Sequence, residues 1–191
     1  MSSIDKKLVI ITAPSGSGKT TVVNYLLKEV PKLSFSISAC TREPRANEVN
    51  GVNYYFLPLS TFQTRIKKED FVEYEMVYEG KYYGTLKNEL RRIWNMQQVP
   101  LLDIDVHGAQ RIIDTKLHQV KSIVNEPPSI NVLERRLRAR GTESEDSLQE
   151  RMKKARSEMD LAYVFDHIVV NDDLEKTCKE VKRIIEEFLV S

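Results

Sequence analysis

An α/β fold, a parallel sheet flanked by helices, is what this 191-residue chain predicts, and three features carry the expectation. Short, nearly continuous apolar runs recur along it, the mark of strands buried on both faces. Segments of helical period separate those runs, as crossovers between parallel strands require. A loop of small residues, "APSGSGKTT", joins the first apolar run directly to the first helical segment.

In chain order, Leu8 to Ile11 reads as the first strand. Val22, Val23, Leu26, Leu27 and Val30 share one helical face, and Pro31 stops that helix, so residues 1–33 open the core. Residues 34–96 break the alternation as a tyrosine-rich mixed insertion. Within it Phe35, Ile37 and Ala39 alternate, and Asn53 to Leu57 is strand-like after the turn residues Asn50 and Gly51. A helix over Ser60 to Lys68 opens with a capping box of Ser60 and Gln63, and Leu86, Leu90, Ile93 and Trp94 give another helix. Residues 97–126 return to the core with strands at Val99 to Asp103 and Ser122 to Val124. From Pro127 to residue 157 two helical patterns flank Gly141 and carry arginine at 135, 136, 138, 140, 151 and 156, as a polar lid would. Residues 158–191 complete the core with a strand at His167 to Val170 and a last helix burying Leu174, Cys178, Val181, Ile185 and Phe188.

Composition narrows the function. With 41% hydrophobic and 30% charged residues the chain reads as one soluble globular domain. A net charge of +1 argues against bulk nucleic-acid binding. No apolar run approaches the ~18 residues of a membrane span, and the first one is too short and wrongly flanked for a signal peptide. Cys40 and Cys178 lie far apart without metal-ligand spacing, so free thiols in a reducing compartment, the cytoplasm, are expected.

The loop matches G-x-x-x-x-G-K-[ST] except that Ala13 holds the first glycine position. Backbone N–H groups from Ala13, Pro14's neighbours Ser15 and Gly16, and Ser17, Gly18, Lys19, Thr20 and Thr21 would face an anion at a helix N-terminus, where the dipole favours negative charge. Lys19 would reach the β and γ phosphates of a nucleotide and the Thr20 hydroxyl would bind Mg²⁺. A Gly/Ser turn that merely caps a helix is the competing reading. Asp103 ends the run VPLL where a carboxylate can hold magnesium through its water shell, and Asp105 would share its face if the strand continued. The alternative is a pair of strand-end acids capping the turn at Gly108.

A second anion site is indicated by Arg42 and Arg45, three apart in a loop before two tyrosines, because guanidinium forks bind phosphate oxygens bidentately. Such a cluster can equally be a solvated loop. "FVEYE" with Glu73 and "KYYGT" with Tyr82, Tyr83 and Thr85 follow. In the lid Arg136 and Arg140 are i, i+4 and would point one way on a helix. Between Glu134 and Arg156 eight basic residues face five acidic ones, an anion-facing balance in a near-neutral chain.

In order along the chain, APSGSGKTT, S-x-x-TR-x-PR-x-x-E-x-x-G-x-x-Y, FVEY, YYGT, LLDIDV-x-GA, RLRARGT and VNDDL resemble the guanylate kinases, members of the nucleoside monophosphate kinases, over almost the whole length. The resemblance implies a phosphate-loop sheet with a GMP-binding mixed α/β insertion, a helical lid, and Mg²⁺-dependent transfer from ATP to GMP, with dGMP expected as a second acceptor. It implies that Ser38, Arg42, Arg45, Tyr54 and Tyr83 surround the GMP phosphate, and that Glu73, Thr85 and Asp105 read guanine. Lys19 and Thr20 would serve ATP and Mg²⁺, Asn171 would lie near adenine, and Arg136, Arg140 and Arg151 would close over the transferring phosphoryl group. ATP and GMP are the partners expected; neither nucleic acid nor membrane is, and the chain could be a monomer or a homodimer.

The chemistry of the bases fits that assignment. Guanine offers donors at N1 and N2 and an acceptor at O6, matched by two carboxylates and a hydroxyl. Adenine would leave a carboxylate facing a lone pair, and unpaired buried groups discriminate by roughly 10⁴ to 10⁵. Three positions depart from the family pattern: Cys40 for threonine, His107 for glutamine, and one extra residue around Tyr78-Glu79-Gly80 that would lengthen a hairpin turn and shift Tyr82 and Tyr83. His107 reads as a polar contact beside the cleft. Two other classes stay open, a related kinase acting on another phosphate acceptor such as a ribose phosphate, and an interaction module without catalysis.

Overall fold

The structure is a computed structural model that describes residues 7–14, 16–116, 119–139 and 145–191. β1 (Lys7–Thr12) leads into α1 (Lys19–Glu29) and β2 (Leu33–Phe35). Then come β3 (Ala39–Cys40), β4 (Tyr55–Phe56), α2 (Leu59–Lys67), β5 (Phe71–Tyr78), β6 (Lys81–Leu86) and α3 (Lys87–Asn95). β7 (Val99–Asp103), α4 (Val106–Thr115) and β8 (Gln119–Glu126) follow, then α5 (Ile130–Ala139) and α6 (Glu145–Met159). A short 3₁₀ turn (Ala162–Val164), β9 (His167–Val170) and α7 (Leu174–Val190) close the chain.

The central sheet is parallel throughout, in the order β2-β7-β1-β8-β9. Helices cover both of its faces, which is why its strands read as continuous apolar runs. Val9 and Ile11 of β1 pack with Val22 and Leu26 of α1 and Val181 and Ile185 of α7, while Leu8 and Ile10 pack on the other side with Leu90 of α3 and Ile112 of α4. These side chains are fully buried, each contributing roughly 1.5–3 kcal/mol relative to exposure. Cys178 belongs to the α1/α7 layer, and both cysteines are buried free thiols.

The second sheet, β4-β3-β6-β5, is mixed: β3 runs parallel to β4 and antiparallel to β6. α2 packs on it through Phe62, whose ring stacks on Phe71 at 4.4 Å. The alternating run Phe35, Ile37, Ala39 is divided between the two sheets. β2 pairs with β7, the Ile37 amide turns aside to Glu89 Oε1 at 3.0 Å, and β3 pairs with β6. α3, at the end of the same stretch, buries Leu90 and Ile93 and covers the central sheet rather than the second one. The expected capping box does not form. α2 starts at Leu59 because Pro58 holds its φ at −55° and its carbonyl accepts from the Phe62 amide, which puts Ser60 inside the first turn.

α5 and α6 form a small layer of their own, with Leu133, Leu137, Leu148, Met152 and Ala155 buried between them. Leu133 and Leu137 rest on Gly16, where a Cβ would come within 3.0 Å and 2.8 Å of them respectively, so the α5/α6 layer is seated directly on the loop between β1 and α1. Among the described residues no helix is long and apolar enough to cross a membrane.

Candidate active site

The phosphate loop leaves the buried end of β1 and turns into α1 through Gly16 and Gly18, whose φ values of 100° and 89° suit glycine. Ala13 has no positive φ, so a methyl is tolerated at the first position of the pattern. Ser15 lies outside the described residues. The loop is braced from below: the Ser17 carbonyl accepts from Asn125 Nδ2 at 3.0 Å and Asn171 Nδ2 at 2.7 Å. A Cβ on Gly18 would lie 2.7 Å from that Asn171 nitrogen, so Asn171 abuts the loop backbone from a buried position. Lys19 Nζ pairs with Asp103 Oδ1 and donates to the Ile104 carbonyl at 3.3 Å.

Two cavities adjoin this loop. The first, about 330 Å³, is lined by Ser38, Tyr54, Glu73, Tyr83 and Asp105, together with Lys19, Thr20 and Asp103. The second, about 370 Å³, is lined by Ala13, Pro14 and Gly16 on one side and Arg151, Lys154 and Glu158 of α6 on the other. Lys19, Thr20, Tyr54, Val77, Asp105 and Lys154 line both.

On the second sheet, Glu73 of β5 stands opposite Thr85 of β6, and the Thr85 hydroxyl donates to Glu73 Oε1 at 2.7 Å. Burial raises the Glu73 carboxyl from its ordinary 4.5 to about 7; the Thr85 hydrogen bond lowers it and the nearby Asp105 charge raises it. Thr85 is fully buried and lines neither cavity, its one hydroxyl hydrogen being committed to Glu73. Asp105 is not on the strand, which ends at Asp103. It is the N-cap of α4, where Oδ1 accepts from the Gly108 amide at 2.8 Å. The extra residue near Gly80 does not lengthen the turn, which is the two-residue Glu79-Gly80. A register shift between Met76 and Tyr78 absorbs it as a bulge at Val77. Tyr83 therefore faces Glu75 and the first cavity, whereas Tyr82 packs on Phe62.

Arg42 lies behind this wall. Its guanidinium sits 4.9 Å over the Tyr54 ring and forks onto Glu48, with Nη1 to Oε2 at 2.5 Å and Nη2 to Oε1 at 2.7 Å. Glu48 Oε2 also accepts from the Arg45 amide at 2.8 Å, and the Arg45 side chain is exposed. Neither arginine lines either of these two cavities. Arg136 Nη2 of α5 donates to the Asn171 carbonyl at 2.9 Å and Arg151 of α6 lines the second cavity, while Arg140 lies outside the described residues. His107 is exposed and lines neither cavity.

Four groups at the site escaped the sequence reading. Lys154 Nζ lies 3.8 Å from Asp105 Oδ2 and 3.6 Å from the buried Glu158, and both residues share a helical face with Arg151, a spacing that could have revealed them. Glu48 is the acid of the TR-x-PR-x-x-E motif, to which the sequence reading gives no role, and Asn125 carries no comparable signal, since its partner is set by sheet geometry.

One lysine and one threonine at the head of α1 thus serve two adjoining cavities, as phosphoryl transfer between two bound molecules requires; fold and site together define a phosphate-loop kinase of the nucleoside monophosphate class. The family model for guanylate kinase matches residues 5–188. Guanylate kinase of Bacteroides thetaiotaomicron is 45% identical over 183 residues, 96% of this chain and 90% of that protein. That of Salinibacter ruber is 43% identical, covering 98% of this chain and 99% of its own. The crystal structure of guanylate kinase from Anaplasma phagocytophilum superposes with a TM-score of 0.76 at 27% identity, covering 98% of this chain and 87% of that one. The chain belongs to the guanylate kinase family, whose reaction is phosphoryl transfer from ATP to GMP.

Proposed function

We propose that this chain phosphorylates GMP, and dGMP, with ATP held by the phosphate loop and second cavity and the acceptor held in the first. The observation that carries this reading is that Lys19 and Thr20, at the head of α1, line both cavities, so the donor and acceptor phosphates would meet at the Lys19 ammonium group, with Lys154 facing it from α6. Ser38, Tyr54 and Tyr83 are the groups that would receive the acceptor phosphate, with Arg42 and Arg45 as the cations of the loop behind them. Glu73 and Asp105 would accept the N–H donors of guanine, and Thr85 acts through Glu73, holding its carboxylate rather than touching the base. Residues 34–96 supply most of the acceptor side and residues 127–157 the lid, in which Arg136 and Arg151 stabilise charge on the transferring group.

Mg²⁺ fits the donor set here: it favours one or two carboxylates, substrate phosphates and retained water, and Thr20 and Asp103 both line the first cavity. They would hold it, Asp103 through water, and it would supply charge neutralisation between the phosphates. Lys19, at present paired with Asp103, would turn to the phosphates as they arrive. Closing the lid would exclude water and suppress ATP hydrolysis. The balanced composition and the buried free thiols fit a cytoplasmic enzyme.

The test is ADP formation from ATP and Mg²⁺ with GMP, dGMP, AMP, CMP, UMP, dTMP or no acceptor. Turnover confined to GMP and dGMP is expected. Comparable turnover with several acceptors would sink the assignment of Glu73 and Asp105, and a folded, ATP-binding protein without turnover would indicate an interaction module.

A further inference from the structure

The segment LLDIDV-x-GA contains a glycine that the transfer itself does not use. Gly108 is the third residue of α4, a position where alanine is the better helix former. Its φ is not positive, so backbone freedom does not explain it. Its surroundings do. A Cβ at Gly108 would lie 2.8 Å from Glu73 Oε2, 3.3 Å from Glu73 Cδ and 3.4 Å from Asp105 Oδ1. Glu73 has little freedom to retreat, being only 7% exposed and with its other oxygen held by Thr85 at 2.7 Å. The Gly108 amide meanwhile donates to Asp105 Oδ1 at 2.8 Å.

We propose that Gly108 is a positioning residue for base selectivity: its amide fixes one base-reading carboxylate and its missing side chain makes room for the other. The inference rests on the reading of Glu73 and Asp105 as the guanine acceptors. A methyl group here pushes the Glu73 carboxylate away by about 0.6 Å, the difference between 2.8 Å and the 3.4 Å of ordinary contact. A displacement of this order is enough to change a steady-state constant by about tenfold, since misplacements near 1 Å cost about 10².

Gly108→Ala, Glu73→Asp, their combination and Glu73→Gln are to be compared with the parent for melting temperature, KM for ATP, KM for GMP and kcat/KM for GMP over AMP. Gly108→Ala is expected to melt within a few degrees of the parent temperature, the helix-propensity gain being offset by crowding at Glu73, and to keep its KM for ATP within about twofold. Its KM for GMP should rise about tenfold and its preference for GMP over AMP should fall by a similar factor. Adding Glu73→Asp, one methylene shorter, should recover part of the loss in the alanine background although it impairs the parent. An unchanged GMP preference in Gly108→Ala, or equal losses for ATP and GMP, would overturn the proposal. If Glu73→Gln abolishes the preference while Gly108→Ala does not, the inference about Gly108 fails alone; if Glu73→Gln preserves it, the guanine reading fails and takes this inference with it.

Discussion

Replacing Glu73 by glutamine should stabilise the nucleotide-free protein at alkaline pH while removing its ability to read guanine. Burial raises the Glu73 carboxyl from 4.5 to about 7. Between those values the folded chain holds a proton that the unfolded chain has released. Stability from this group is therefore complete below pH 4.5 and declines as the pH climbs through 7. At about 1.4 kcal/mol per pKa unit, a shift from 4.5 to about 7 makes the decline about 3 kcal/mol by pH 8. Glutamine carries no charge to desolvate, and its carbonyl can still accept from the Thr85 hydroxyl. The two proteins should melt together near pH 4 and separate by roughly 6–12 °C at pH 8, taking about 2–4 °C per kcal/mol for a chain of this size. The assay is a melt of both at pH 4, 5, 6, 7 and 8 without nucleotide; comparing them at each pH cancels every other titrating group. A separation that does not grow with pH, or a glutamine variant less stable at pH 8, would refute the reasoning. In the parent protein, GMP affinity should rise through pH 7, because an ionised carboxylate is the acceptor for the base donors, and that rise should vanish in Glu73→Gln.

The remaining expectations concern the phosphates. Lys19→Ala should lower kcat by about 10³-fold or more with little change in melting temperature, and near-normal turnover would discard the phosphate-loop assignment. Glu48→Gln loosens the fork that holds Arg42 over Tyr54 and frees the Arg45 amide. It should raise KM for GMP by about tenfold while leaving KM for ATP unchanged, and an unaltered or lower KM for GMP would show that Glu48 does not orient these arginines.

Much of this molecule is legible from sequence because the decisive interactions are local or simply apolar. β1 and β7 announce themselves since strands covered on both faces have no polar alternation to keep, whereas β9, at the sheet edge, reads as an apolar run although Ile168 and Val170 are half exposed. The phosphate loop is legible because its small residues, Lys19 and Thr20 act through a contiguous backbone. The division of Phe35, Ile37 and Ala39 between two sheets is not, since it depends on which distant strand offers hydrogen bonds to each. Asp105 is visible as a carboxylate, but whether it extends a strand or caps α4 is decided where β7 ends and the Gly108 amide begins. Glu48, Asn125 and Lys154 are brought to the site by Arg42, Ser17 and Asp105, partners 6, 108 and 49 positions away. Sequence by itself determined the sheet, the phosphate loop and the residue types needed to recognise two nucleotides, because burial and backbone conformation are short-range demands. Only the tertiary structure decided that Thr85 holds Glu73 instead of facing a cavity and that Gly108 leaves the space Glu73 fills, because contacts across elements depend on side-chain placement that no local pattern encodes.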